Sequence, residues 1–347
     1  MPLQIIRQDI TKMQVDAIVN TTNSQLIGYS GVDLAVHTLA GEELDAECAE
    51  LATLDLGQAK ITGAYKLPCK YIIHTSGPVW CGGAYGEKEL LRSCYIESLK
   101  LAVEHGCETV AFPLISSGVY QFPKDSALKF AMGVITEFLF EHELTVYLCV
   151  YDRESYSFSQ RLFNDIKAFI DDSYVEDHDE DFYLDRSRRF KPIEPMPPFA
   201  CSSSALPVRS RSQKTIKSVT ADASRSLEEY MKQIDKSFGE MLISLIEERG
   251  MSDVECYKKA NVDKRIFSKI RSNKDYKPSK QTALAFAISL KLDLDTTQAL
   301  LATAGLTLST SSVFDKIVMY FILNKKYNIH EINEALFVFG QENLGSI

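Results

Sequence analysis

Between Asn20 and Gly41 the chain reads NTTNSQLIGYSGVDLAVHTLAG, which sets Asn20, Asn23, Gly28, Gly31, Asp33 and His37 in one short span. Two amides, two glycines, a carboxylate and an imidazole are the materials of an anion cradle. Glycine lets backbone amides approach a diphosphate closely, and a helix that follows offers its positive N-terminal end. His37 lies four residues beyond Asp33 and shares its helix face. It either tunes that carboxylate or packs as an ordinary core histidine. Asp33 and Asn23 also admit a plain structural reading, as helix cap and turn former. A second stretch, SSGVYQFP at 116–123, again sets hydroxyls, a glycine and an aromatic ring ahead of a helical pattern. Two amide-rich loops facing each other suit a dinucleotide-like diphosphate better than a single phosphate.

Such loops need strands to carry them. IVN at 18–20, KYIIHT at 70–75, TVAFPLI at 109–115 and TVYLCVY at 145–151 read as strands buried on both faces. DLAVHTLAGEELDAECAEL, EKELLRSCYIESLKLAVEHG and PKDSALKFAMGVITEFLFEH, lying between them, repeat apolar residues at helical spacing. The alternation predicts a three-layer α/β domain with a mainly parallel sheet over residues 1–172. Ligands of such sheets bind beyond the carboxyl ends of the strands, which is where both loops fall.

Residues 173–224 pass from EDHDED through RSRRF to a Pro-, Ser- and base-rich run, and read as a flexible linker. Residues 225–347 read as a second, all-α helical domain. Phe238, Met241, Leu242, Leu245 and Ile246 make one apolar stripe ended by Gly250; Ser252 with Glu255 caps a second helix and Asp263 a third. Ser279 opens the fourth, and Asp295 with Gln298 the fifth.

A chain of 347 residues fits two domains. Hydrophobic content of 45% and charged content of 24% are ordinary for globular protein. No apolar run approaches the roughly 18 residues of a membrane span. The N-terminus, MPLQIIRQDI, lacks a basic region followed by a long apolar core, so a cytoplasmic location is expected. Eight cysteines are scattered without a CxxC pair, which favours reduced thiols packed as small apolar side chains over a metal or disulfide frame. The net charge of −9 is uneven: residues 1–172 carry 13 basic and 23 acidic side chains, residues 200–347 carry 21 and 17.

Five segments in order, QDIT at 8–11, VDAIVNTTN at 15–23, GVDLAVHTLAG at 31–41, HTSGPVW at 74–80 and AFPLISSGVYQFP at 111–123, resemble the macrodomain, the ADP-ribose-binding fold, and within it the MacroD-type hydrolase branch. The resemblance covers about residues 1–172. It implies that Asp9 bonds the adenine amino group with Ile10 beside it, that Tyr151 stacks on adenine, and that Asn20 contacts the distal ribose. Gly31 and Val32, facing Ser116, Ser117, Gly118, Val119 and Tyr120, would hold the diphosphate and distal ribose. Asn23 and Asp33 match the pair associated with hydrolysis, and no metal or other cofactor is implied. The Cys and His pattern of the zinc-dependent branch and the lysine of another branch are both absent. Cleavage of an ADP-ribosyl ester needs a positioned water, a carboxylate or substrate phosphate to orient it, and an amide to hold the sugar. A carboxylate leaving group needs no strong general acid. Where the family usually has glycine, this chain has Tyr29, Ser30, Gln8 and Gln121.

The helical segments resemble a phage-repressor-like helix-turn-helix module over residues 225 to about 305, with KRIFSKIR as the recognition element. Residues 258–280 hold nine Lys or Arg and two Asp. Lys264, Arg265, Ser268 and Lys269 are the candidates to reach duplex DNA. Three functions stand at this stage: hydrolysis of mono-ADP-ribosyl esters on acidic residues or of O-acetyl-ADP-ribose; a non-catalytic ADP-ribose reader coupled to DNA binding; or an adaptor whose helices bind protein. The helices after Gly305 either complete the bundle or provide a homo-oligomer contact.

Overall fold

The computed structural model describes residues 2–51, 53–150, 162–170 and 236–345. Tyr151 and the linker expected at 173–224 lie outside these residues. Six strands, β1 (Leu3–Ile6), β2 (Ala17–Thr21), β3 (Ala59–Gly63), β4 (Tyr71–Thr75), β5 (Thr109–Pro113) and β6 (Thr145–Cys149), form one sheet in the order β1-β6-β5-β2-β4-β3. Every pairing is parallel except that of β3 with β4. The four apolar runs of the sequence are the interior strands β2, β4, β5 and β6. The edge strands β1 and β3 were not evident there. Their burial is alternating or partial, so they lack the continuous apolar run that marks a strand covered on both faces.

Helices α1 (Gly31–Ala40), α2 (Glu42–Glu50), α3 (Glu87–Glu104) and α4 (Lys124–Glu141) cover the sheet. The single helical pattern beginning at Asp33 is in fact two helices. Gly41, at φ 98°, takes a backbone conformation that interrupts the ladder between α1 and α2. Strand residues alternate between two cores. Ala17, Val19, Ile73, Val110 and Phe112 pack with α3 and α4, whereas Ile18, Ile72 and Ala111 meet Val36, Ala40 and Leu44 of α1 and α2. The same alternation turns Asn20 and His74, paired across β2 and β4, toward α1.

The remaining helices are α5 at 162–170, α6 (Phe238–Glu248), α7 (Asp253–Lys259), α8 (Lys264–Ser272), α9 (Lys280–Ser289), α10 (Leu294–Thr303), α11 (Val313–Leu323) and α12 (Ile329–Val338). They share a core that includes Leu242, Phe286, Leu300, Phe321 and Leu336. Helix α5 falls within the range expected for the first domain, yet Ile166 is buried in this helical core and Phe163 stacks on Phe339 at 4.9 Å. Ser252, Asp263 and Ser279 cap α7, α8 and α9 as their positions suggest. A capping box of Ser237 and Glu240 opens α6. Helix α10 is capped by Asp293, which accepts from Thr296 N at 2.8 Å, and not by Asp295, which lies in the first turn. Among the described residues no helix is long and apolar enough to cross a membrane.

Strand β1 is an edge, and its outward backbone groups need partners. Asn261, in the turn between α7 and α8 and 3% exposed, supplies both. Leu3 N donates to its Oδ1 at 2.7 Å, and its Nδ2 donates to Leu3 O at 2.8 Å. Asn261 sits at φ 55°, a left-handed conformation that asparagine tolerates better than most side chains. Asn343 Nδ2 donates to Ile5 O at 2.8 Å, Tyr257 OH donates to Glu143 at 3.0 Å, and Lys258 donates to Phe140 O. The helical region is therefore bolted to the sheet edge. Asn261→Ala leaves the amide and carbonyl of Leu3 without partners, which costs about 2–4 kcal/mol together. The expected result is a fall in melting temperature of roughly 5–10 °C by calorimetry. An unchanged midpoint would show that water replaces the amide.

Candidate active site

The site is built from the buried layer outward. Asn20 Nδ2 donates to Asp33 Oδ1 at 2.7 Å and lies 3.2 Å from His74 Nδ1. With Nδ1 accepting, His74 carries its proton on Nε2, which is 2.9 Å from Thr62 Oγ1. Thr62 in turn donates to Gly63 O. Burial first, then the neighbouring His37, push the His74 pKa down to about 3, so the ring is neutral. Asp33 is 5% exposed, and its other oxygen accepts from Tyr29 N at 3.2 Å. His37 reaches Asp45 through Nδ1 at 2.6 Å, while its Nε2 stands 3.6 Å from Asp33 Oδ1 with no hydrogen-bond partner. Asp33 is thus aimed by groups from β2, the loop before α1, and α1 itself.

His37, Cys48 and His74 bring one ligand atom each within 4.8 Å of one another, the one such cluster among the described residues. Both ring nitrogens of His74 are already engaged, so the cluster works as a hydrogen-bonded network. Gly28 makes room for it. A Cβ there would come within 2.7 Å of the His37 side chain.

Above this layer a cleft runs past the carboxyl ends of β2, β5 and β6. One lobe, of 420 Å³, is lined by Thr22, Asn23, Asp33, Ser116, Gly118 and Tyr120 among others. The other, of 380 Å³, takes in Gln8, Asp9, Ile10 and Thr11. Gly31, Val32, Pro113 and Cys149 belong to both, so the lobes are continuous. The chain leaves β2 toward β4 on one side and β5 toward β6 on the other, and the crevice opens at this divergence.

Between the two lobes α1 presents its N-terminus. Ser30, the N-cap, makes no side-chain bond to the first-turn amides, which leaves them to an anionic ligand. Gly31 holds φ 59°, a left-handed conformation that favours glycine and that Leu26, at φ 58°, also adopts in this loop; nothing lies within 4 Å of a Cβ placed at Gly31. Opposite, Ser116 holds φ 60°, is 4% exposed, and its hydroxyl has no protein partner. Ser116 thus combines a strained backbone with a buried hydroxyl that lacks a protein partner. Gln121 also sits in the left-handed region, at φ 55°, so it holds without glycine a conformation that glycine favours.

Most of the expected residues gather here, with differences. Asp9 accepts from Thr11 N at 3.0 Å and Thr11 Oγ1 at 2.7 Å; the Thr11 hydroxyl is the main cause of its lowered pKa, and it stays ionised at the cleft end. Burial, and then the charge of Asp33, push the Tyr120 phenol upward. Asn20 reaches neither lobe. It is fully buried and donates to Asp33 from below, while its Oδ1 has no hydrogen-bond partner among the described residues. Asn23 lines the cleft but is partly engaged in its own turn, accepting from Gln25 N at 2.9 Å and donating to Ile27 O at 3.1 Å. The sequence reading missed His74 and Thr62 as site residues. A histidine inside the apolar run KYIIHT was the available signal.

A family model for the Macro domain matches residues 19–131. A macro domain-containing protein of Mesorhizobium japonicum is 50% identical over 155 residues, which cover 44% of this chain and 88% of that relative. The chain belongs to the macro domain family. The mouse protein named ADP-ribose glycohydrolase MACROD1 is 45% identical over 142 residues, 41% of this chain and 44% of that one. A solved macrodomain of Oceanobacillus iheyensis aligns over 44% of this chain and 85% of that structure, at 36% identity and a TM-score of 0.43.

The four candidate DNA contacts on α8, Lys264, Arg265, Ser268 and Lys269, are all exposed. The α8 N-terminus nevertheless faces the macro domain, with Arg265 3.3 Å from Asp263 and 3.7 Å from Glu108. Of the nine basic residues at 258–280, six are ion-paired: Lys258, Lys259, Arg265, Arg271, Lys274 and Lys280.

A neutral buried His74 makes the site acid-labile. Well above pH 6.5, the ordinary histidine value, neither folded nor unfolded chain binds this proton, and His74 subtracts nothing from stability. As pH falls from 6.5 toward 3, the unfolded chain takes up a proton that the folded one refuses, so stability declines. In His74→Gln the slope of melting temperature against pH between 7 and 4 becomes shallower; an identical slope would remove His74 from the account.

Proposed function

We propose that this protein binds ADP-ribose in the two-lobed cleft and hydrolyses mono-ADP-ribosyl esters on acidic side chains or O-acetyl-ADP-ribose. The observation that carries the reading is the placement of Asp33. Its carboxylate is fixed by Asn20 and by Tyr29 N beside the uncapped N-terminus of α1, at the lobe opposite Asp9. The diphosphate lies on the first-turn amides of α1 with the Ser116 hydroxyl opposite. Adenine lies toward Asp9, which accepts its amino group, with Ile10 alongside. The distal ribose then falls between Asn23, Asp33 and Tyr120. Asp33 orients the attacking water, and the free N–H of Asn23 holds the sugar. The name of the mouse relative, an ADP-ribose glycohydrolase, supports this reading.

For the helical region, the ion pairing of six of its nine basic side chains at 258–280 and the α8 N-terminus turned to the macro domain favour a protein-binding role over DNA reading. We read it as a second domain already docked on its own macro domain, and place the whole chain in the cytoplasm.

Calorimetry should give micromolar affinity for ADP-ribose, roughly 7–9 kcal/mol. Asp9→Ala weakens it about tenfold. Asp33→Ala lowers turnover by about 100-fold or more while the Kd stays within about threefold, the signature of a group used in the transition state. Absence of binding at millimolar ligand would overturn the reading. Binding without release of ADP-ribose from either ester would make the protein a reader.

A further inference from the structure

Three loops leave the carboxyl ends of β2, β4 and β5 at the cleft side of the sheet: residues 22–30, 76–86 and 114–123. None contains Lys, Arg, Asp or Glu, in a chain that is 24% charged. Two of them are joined, since Trp80 N donates to Tyr120 O at 2.8 Å and Trp80 packs edge-on against Phe122 at 4.7 Å. The 81–85 segment is held by the buried Glu87, which accepts from the amides of Cys81, Gly83 and Tyr85 at 3.0, 3.0 and 2.7 Å. These loops are ordered from within, yet they turn apolar side chains to solvent. Of fourteen exposed large hydrophobic residues among the described residues, five stand here: Ile27, Tyr29, Val79, Tyr85 and Val119. Tyr29 and Tyr85 are 80% and 77% exposed.

Isolated exposed apolar residues need no explanation, but several on joined, charge-free loops around one cleft mark an interaction surface. Val79 and Tyr85 do not line the cleft, so a free nucleotide has no use for them. A nucleic acid is a poor occupant as well, because its phosphates require the cations that all three loops lack. We propose that Val79 and Tyr85, with Tyr29 and Val119, form a docking rim for the polypeptide that carries the ADP-ribose, and that the rim selects modification sites flanked by uncharged, apolar residues. This rests on the reading that the cleft holds ADP-ribose.

The test uses the full chain and two synthetic peptides bearing ADP-ribose through a hydrolysis-resistant aminooxy linkage, one flanked by Val and Phe, the other by Lys and Glu. A duplex with ADP-ribose at its terminal phosphate is the third probe. The apolar-flanked peptide should bind at least tenfold more tightly than free ADP-ribose; the charged peptide and the duplex should show no such gain. In Val79→Ser with Tyr85→Ser the gain disappears while affinity for free ADP-ribose stays within twofold. Equal affinity of the wild type for free ADP-ribose and both peptides overturns the rim and leaves the cleft standing, as does a gain that survives the double substitution. A greater gain for the duplex overturns the choice of polypeptide. Failure to bind free ADP-ribose overturns the function itself, and the rim with it.

Discussion

The hydrogen bond from Asn20 to Asp33 is the constraint on which the site depends. Asp33 lies in the first turn of α1, where the helix field attracts any negative charge, its own carboxylate or a ligand's phosphate. If that carboxylate folded back on the helix end, it would compete with the diphosphate for the same amides. The helix field contributes about 0.3–1 kcal/mol, whereas a hydrogen bond to a charged group contributes about 1.5–3 kcal/mol. Asn20 at 2.7 Å and Tyr29 N at 3.2 Å therefore decide where the oxygens point. Asn20 can do this because the two-residue period of β2 turns it toward α1. Its partner His74 arrives on the same face through the register of β4.

The sequence carried the interior of this fold plainly. β2, β4, β5 and β6 are apolar runs too short for helices and bounded by turn residues, and α3 and α4 repeat at helical spacing. The two glycine-containing loops could be placed at strand ends from the same pattern. Residues whose roles arise from pairing across long sequence separations were harder to see. His74 stands 41 positions from Asp33, and only the β2–β4 register brings them to one network. Asn20 was visible as a polar residue ending a buried strand, but nothing local distinguishes a side chain that points into the cleft from one that points beneath it.

The basic run at 258–280 shows the opposite failure, a signal that is real in the sequence and largely cancelled in space. Its two aspartates leave a strong local excess of positive charge. Asp263 within the run pairs with Arg265, and the other carboxylates that pair with it come from outside the run: Glu240, Asp253, Glu255 and Asp315 from the helical region, Glu108 and Glu143 from the macro domain. A counterion-release argument counts cations free to meet phosphate. Among the nine, Lys264, Lys269 and Lys277 have no ion-pair partner among the described residues.

The seam between the two regions follows from what an edge strand lacks. β1 would otherwise present the amide and carbonyl of Leu3 to any passing strand. A side-chain amide carries one acceptor and one donor group in the same relation as a peptide unit, so Asn261 closes that position without adding a strand. Ending the sheet this way leaves β1 in register with β6, where Val150 N still donates to Ile6 O at 2.9 Å. Three residues beyond Ile6 lies Asp9, and Val150 itself borders the first lobe. The helical region thus supplies none of the described cleft residues, yet the strand that begins at its seam is the one from which the Asp9 end of the cleft departs.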